Sequence, residues 1–258
     1  MISLSEFLAQ QQTRIDGALD RLAPPETADP VTIHRAMRYS LFAGGKRIRP
    51  ILCLQAAAAI AEETPGIEDV ACSLEMIHTY SLIHDDLPAL DNDDYRRGKP
   101  TCHKVFGEAI AILAGDGLFT LAIQTLAAAD AVDAHTKVRL IRELSFASGT
   151  VDGMIGGQVT DLEGERQTPT PELLNRIHRA KTGALLRASV RMGGIAAGAG
   201  ESRIDALSRY GEHVGLAFQI VDDVLDVEES SEALGKTAGK DAAQGKITFP
   251  AVYGIERS

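Results

Sequence analysis

Residues 204–229 read IDALSRYGEHVGLAFQIVDDVLDVEE, and Ile204, Leu207, Gly211, Val214, Phe218, Val221 and Leu225 follow one another in steps of three and four. That spacing traces one face of a long α-helix. The same period dominates the rest of the 258 residues: alternating strand-like runs are scarce, and Gly or Pro clusters fall between long periodic segments. Two start signals agree. Asp29-Pro30 precedes His34 and Thr170-Pro171 precedes Leu173, each setting a capping residue before a proline at the first helical position. The pattern predicts about eight helices joined by short loops, with longer irregular stretches at 92–104 and 229–249. No solenoid period and no Pro- or Ser-rich linker divides the chain, so one all-α domain spanning 1–258 is expected.

Lys and Arg number 26 against 36 Asp and Glu, a net charge of -10. Such a balance argues against nucleic acid or an anionic membrane as the main partner. A phosphate-bearing ligand would have to be drawn in by local cations or by metal ions. With 45% hydrophobic and 24% charged residues, intrinsic disorder is excluded as the main state. Cys53, Cys72 and Cys102 show no CxxC spacing, and no basic-then-apolar leader opens the chain, so a cytoplasmic location is expected. The run AIAILAGDGLFTLAIQTLAAA at 109–129 resembles a membrane span, but its length and Asp116 favour a buried or subunit-facing helix.

Two acidic clusters end apolar helical runs: Asp85-Asp86-Leu87-Pro88-Ala89-Leu90-Asp91 and Asp222-Asp223-Val224-Leu225-Asp226. In the second, Gln219, Asp222 and Asp226 share one helical face, bracketed by Val221 and Leu225. Carboxylates crowded beside apolar surface repel and take up protons unless a cation neutralises them. Oxygen-only donors favour Mg²⁺, which completes its shell with water and phosphate oxygens. In the first cluster Asp85 and Asp91 would diverge on an unbroken helix. Pro88 lacks an N–H, so a break there is predicted to return Asp91 toward Asp85. Basic residues come in short groups, Gly44-Gly45-Lys46-Arg47-Ile48-Arg49-Pro50, Arg96-Arg97, Lys181, Lys236, Lys240 and Lys246. Arg suits bidentate phosphate contacts and Lys supplies a point charge. Carboxylates and cations together in an acidic chain suggest a ligand bearing phosphates bridged by Mg²⁺, and equally a second anionic ligand held by direct Lys and Arg contacts.

At this point a resemblance enters. SLIHDDLPALDNDDYRRGKPTCHK (81–104) resembles the first aspartate-rich region of trans-isoprenyl diphosphate synthases, and FQIVDDVLD (218–226) the second. GGKRIRP, the Lys181-Thr182 pair and GKTAGKDAAQGK followed by ITFP are similar to further motifs, in family order, from about Met37 to Pro250. The first motif, with Leu-Pro inside it, is similar to bacterial farnesyl and plant-type geranylgeranyl enzymes. The resemblance implies a helical bundle of the isoprenoid synthase type around a central cavity, and a homodimer. It implies that Asp85, Asp86 and Asp91, opposite Asp222, Asp223 and Asp226, hold Mg²⁺ on an allylic diphosphate. Arg96, Lys181 and Lys246 would touch that diphosphate, with Thr182, Gln219 and Lys236 at the substrate. Gly45, Lys46, Arg49, His78 and Arg97 would hold isopentenyl diphosphate.

The implied reaction is ionisation of the allylic diphosphate, attack by the isopentenyl double bond and loss of a proton to the released diphosphate. Gly183 is expected to loosen the helix after Lys181-Thr182. Tyr80, five residues before Asp85, would close the tail pocket and set farnesyl diphosphate as product. Geranylgeranyl diphosphate is the alternative; a catalytically silent subunit and a class I terpene cyclase are the further rivals. Relatives continue past ITFPAVYGIERS, so the last C-terminal helices are expected to be lacking.

Plainer readings attach to other residues. Asp93 and Asp94 read as surface carboxylates, His84 as a structural histidine and Arg47 as solvent-facing. For Tyr80 and Phe119 core packing is the default, and Lys240 is left undecided.

Overall fold

The computed structural model describes residues 2–165, 167–228 and 246–258; Lys236 and Lys240 lie outside the described residues. In chain order come α1 (Leu4–Leu22), α2 (Val31–Leu41), α3 (Ile48–Ala58), α4 (Ile67–Asp85), a hairpin of β1 (Tyr95–Arg96) and β2 (Lys99–Pro100), then α5 (Cys102–Phe106), α6 (Glu108–Ala128), α7 (Ala134–Ser148) and α8 (Met154–Gly164). After α9 (Pro171–His178) a π-helical turn (Arg179–Gly183) leads into α10 (Ala184–Ala196), followed by α11 (Glu201–Glu228) and α12 (Phe249–Tyr253). The all-α expectation is met. The small hairpin inside the stretch read as irregular is the exception.

The arrangement follows from which helices are apolar all round. On α4 nearly every residue from Val70 to Ile77 is buried, together with Thr79, Tyr80 and Ile83. A helix with no polar face belongs at the centre. It packs against α6 and α3, with α10 and α1 on further sides, while α10 bridges α3, α7 and α11. Leu74, Met76, Ile77, Leu118, Leu126, Leu140 and Leu144 are fully buried in this main core. A satellite core of Leu174, Ile177, Ile247 and Phe249 joins α9 to the segment around α12.

Local signals act as read in two places. Thr170 caps α9, its hydroxyl accepting from Leu173 N at 3.2 Å with Pro171 in the first turn. The chain leaves α4 ahead of Pro88, with Asp85 as the last helical residue. Asp29 does not cap α2, because Pro30 itself takes the cap position and no side chain closes it. On α11 the expected stripe drifts. Ile204 and Gly211 are buried, but farther along Asp223 and Asp226 turn inward and Val221 is 56% exposed. The first half of that helix faces the core, whereas the second half faces a polar cavity.

Candidate active site

Two cavities share a wall. The smaller, about 200 Å³, is lined by Asp85, Asp91, Lys181, Asp222, Asp226 and Lys246 among others. The larger, about 540 Å³, shares Asp85, Arg96, Lys181, Thr182, Gln219 and Asp222 with it. It extends along the apolar side chains of Tyr80, Leu90, Met154, Ile155, Val159, Leu162 and Phe218. The two aspartate clusters, more than a hundred residues apart in sequence, thus face one space.

The break at Pro88 does what the spacing predicted. Asp91 N donates to Asp85 O at 2.8 Å and Asn92 N to Leu87 O at 3.1 Å, which folds the chain back after α4. Burial pushes the Asp85 carboxyl up to about 6, with Lys181 opposing and Asp91 adding to the shift. Not all six aspartates stand alike. Asp86 is buried under Arg96, whose Nε donates at 2.8 and 3.0 Å and whose Nη2 lies 2.7 Å from Oδ1, and it does not line the shared cavity. Asp223 is also taken up by the protein: Oδ1 accepts from Gln219 at 2.9 Å, and Oδ2 from Phe249 N at 2.9 Å and His178 at 3.1 Å.

Lysines close the smaller cavity. Lys181 Nζ donates to Asp161 Oδ2 at 2.7 Å, and Lys246 Nζ to Asp91 Oδ1 at 3.2 Å. Burial disfavours the Lys181 charge, yet Asp161 and Asp85 outweigh it and raise its pKa, so the ammonium is retained. Lys181 and Thr182 sit on the π-helical turn ending at Gly183, where loosening was expected. Glycine at 157 permits this, since a Cβ there would lie 2.2 Å from Lys181 N. Thr182 and Gln219 line both cavities.

A cationic corner forms one side of the larger cavity, where Arg49, His78 and Arg97 meet. Burial, reinforced by Arg49 and Arg97, pushes the His78 imidazole well below its usual value, so it is neutral there. Burial also pulls Arg49 down to about 10, with Glu75 partly offsetting it. Arg49 lines the larger cavity, and its buried Nε has no hydrogen-bond partner among the described residues. Arg97, at the tip of the β1–β2 hairpin with φ 54, donates to Gly44 O and lies over Gly45. At φ 123 and with the guanidinium 2.5 Å from where a Cβ would stand, position 45 requires glycine. Lys46 is exposed and lines neither cavity.

The plainer readings of Arg47 and Asp93 are corrected, and those of Asp94, His84 and Tyr80 hold. Arg47 is 3% exposed rather than solvent-facing: Nη1 donates to Glu75 at 2.7 Å, Nε to Asp16 at 2.9 Å and Nη2 to Leu41 O at 2.7 Å. Asp93 lines the smaller cavity, near Arg96 at 4.0 Å, whereas Asp94 pairs outside it with Lys104 at 2.8 Å. His84 donates its ring Nε2–H to Ile112 O at 3.0 Å as a structural histidine, and it also borders the larger cavity. Tyr80 is 7% exposed and meets Phe119 edge-on at 5.3 Å, so it is both core and cavity wall. Asp161, Gln158 and His178 were missed. Gln158 and Asp161 are i,i+3 on α8 and share a face, a signal the sequence did offer.

Residues 30–258 match the model of the polyprenyl synthetase family. The chain is 49% identical over 258 residues to the large subunit 1 of the chloroplastic heterodimeric geranylgeranyl pyrophosphate synthase of Arabidopsis thaliana, covering 98% of this chain and 69% of that protein. It is 47% identical over 256 residues to the farnesyl diphosphate synthase of Geobacillus stearothermophilus, covering 98% and 86%. Among solved structures, a Helicobacter pylori geranyltransferase crystallised with magnesium and isoprenyl diphosphate superposes with a TM-score of 0.89 at 34% identity, over 100% of this chain and 86% of that one.

Proposed function

This chain belongs to the polyprenyl synthetase family and is a prenyltransferase, and we propose that it condenses isopentenyl diphosphate with dimethylallyl or geranyl diphosphate to give farnesyl diphosphate. The observation that carries this reading is the meeting of both aspartate clusters across one cavity, with Lys181 and Lys246 on its wall and an apolar-lined cavity continuing from it.

Breaking the allylic C–O bond sends the electron pair onto the departing diphosphate. Lys181, Lys246 and Arg96 line the space where that charge develops, and cations fixed in place stabilise it without reorganising. Arg49, Arg97 and neutral His78 hold the second diphosphate, aiming the isopentenyl double bond at the allylic carbon. A carbon–carbon bond forms there, and the proton lost beside it passes to the released diphosphate. Met154, Val159, Leu162 and Phe218 offer the carbon chain an apolar lining.

The donor set fits magnesium. Asp85, Asp91, Asp222 and Asp226 offer oxygens only. Among the described residues no three His, Cys, Asp or Glu side chains converge into a ready-made nest, which suits an ion that arrives with diphosphate oxygens. Those four residues would hold it, and when bound it neutralises the leaving group. Asp86 and Asp223, engaged by protein donors, are assigned to orienting Arg96 and Gln219 instead.

The farnesyl product rests on Tyr80, edge-on to Phe119 at the apolar side of the larger cavity. Geranylgeranyl diphosphate is the second reading, favoured by the Arabidopsis relative of that name. The same proposal includes a cytoplasmic homodimer. α6 is long and apolar enough to cross a membrane by length and composition. Ala111, Ala114, Leu118 and Ala122 are nonetheless fully buried against the protein, while Ile112 and Leu113 are about half exposed, a face suited to a second copy. Buried, unpaired Cys53, Cys72 and Cys102 agree with a reducing compartment.

Incubating the purified chain with isopentenyl diphosphate, Mg²⁺ and each starter, then sizing the products, tests the reading. Farnesyl diphosphate is expected, and Tyr80→Ala should shift the main product to geranylgeranyl diphosphate or longer. An unchanged product from the variant removes Tyr80 from this role. No prenyl product from the parent overturns the function.

A further inference from the structure

His178 belongs to none of the motifs, yet it stands where three parts of the site meet. It is the last residue of α9, 7% exposed, and the π-helical turn that carries Lys181 and Thr182 begins with the next residue. Its Nε2 lies 3.1 Å from Asp223 Oδ2, on a helix 45 residues away. The face of the imidazole stacks on Phe249, with ring centroids 5.3 Å apart and planes inclined by 7°. Phe249 in turn stacks on Tyr253 at 6.0 Å.

Asp223 explains why that position matters. It is 4% exposed, and its hydrogen bonds come from the neutral donors Gln219 and Phe249 N together with His178. A polar group buried without hydrogen bonds is disfavoured, and these donors hold both carboxyl oxygens of Asp223 in place. They come from three separate elements: α11, α9 and the segment 246–253. Three residues of that last segment, Lys246, Ile247 and Thr248, line the smaller cavity, and Lys246 Nζ reaches Asp91 across it. The satellite core of Leu174, Ile177, Ile247 and Phe249 surrounds the same junction.

We propose that His178 is a positioning residue that ties Asp223 to α9 by its ring N–H and, by stacking on Phe249, seats the segment delivering Lys246 to the cavity. The proposal rests on the catalytic reading above. It concerns how the allylic-diphosphate side of the site is assembled, and it leaves the Arg49–His78–Arg97 corner untouched.

His178→Phe keeps a flat ring for the stack and removes the donor, whereas His178→Gln keeps a donor and removes the ring. His178→Phe should lower kcat roughly 10- to 100-fold, the usual range for partners of site residues, and leave KM for isopentenyl diphosphate within about twofold. Hydrogen exchange of the ligand-free protein provides a readout independent of turnover: the Phe249 amide, bonded to Asp223 in the parent, should exchange faster in His178→Phe while amides of α4 stay protected. His178→Gln should recover part of both losses. Parental kcat, or parental protection at Phe249, overturns the proposal. Should His178→Phe fail to fold, Phe249→Leu serves: accelerated exchange at residues 247–249 with lowered kcat supports the seating, and parental values for both overturn it. If the parent itself makes no prenyl product, the catalytic reading fails, but the exchange measurement still decides whether His178 holds Asp223.

Discussion

Asp85→Asn lowers kcat roughly 100- to 1,000-fold and at the same time raises the melting temperature of the ligand-free protein at neutral pH. The two effects share one cause. Asp85 sits half-buried at the end of α4, on the wall common to both cavities, and its carboxyl is pushed up to about 6. A folded-state value above the unfolded one means that ionisation opposes folding. The neutral amide escapes that cost. The stabilisation of Asp85→Asn should be full above pH 6, shrink as pH falls toward the unfolded value near 3.8, and vanish below it. Thermal melts across pH, alongside initial rates, check both halves. A variant that is inactive and also less stable at pH 7.5 would show that Asp85 holds the fold rather than serving the site.

Arg47→Ala should lower the unfolding free energy by about 3–5 kcal/mol, because it strands the carboxylate of Glu75 in the core. Glu75 is 2% exposed on α4, and Arg47 Nη1 is 2.7 Å from it. Asp16 and the Leu41 carbonyl take up the other guanidinium nitrogens. These bonds also hold Arg47 at φ 51, a left-handed conformation uncommon for a residue with a side chain. α3 begins at the next residue, so the anchor fixes where Arg49 enters the cavity. Urea unfolding and KM for isopentenyl diphosphate should therefore move together, the first down and the second up. A loss under about 1 kcal/mol, the scale of a surface pair, would contradict the burial argument.

These two residues mark how far the sequence could be read. Asp85 and Asp91 were legible because a proline ends a helix by a local rule, and the returning bond from Asp91 N to Asp85 O lies within the same motif. A loosening of the helix beside Lys181-Thr182 was expected from the resemblance alone, and it takes the form of a π-helical turn ending at Gly183. Arg47 was misread because its partners, Asp16 and Glu75, lie 31 and 28 residues away, and nothing local distinguishes a buried arginine from a solvated one. His178 was missed likewise, its partner being 45 residues off. On α11 the apolar stripe ran true only while the helix faced the core. Where it faces the cavity, Asp223 and Asp226 go inward and Val221 outward, because the interior there is a polar site and not packed hydrocarbon.

The central claim is that the two aspartate clusters act together on a diphosphate carried with divalent ions. Isothermal titration of inorganic diphosphate into the ligand-free protein, with and without Mg²⁺, addresses it directly. Because no three carboxylates converge among the described residues, Mg²⁺ alone should bind weakly. Diphosphate should bind tightly only when Mg²⁺ is present, and Asp222→Asn should abolish that dependence. Diphosphate binding that is equally tight without the metal, or unaltered in Asp222→Asn, would contradict the account.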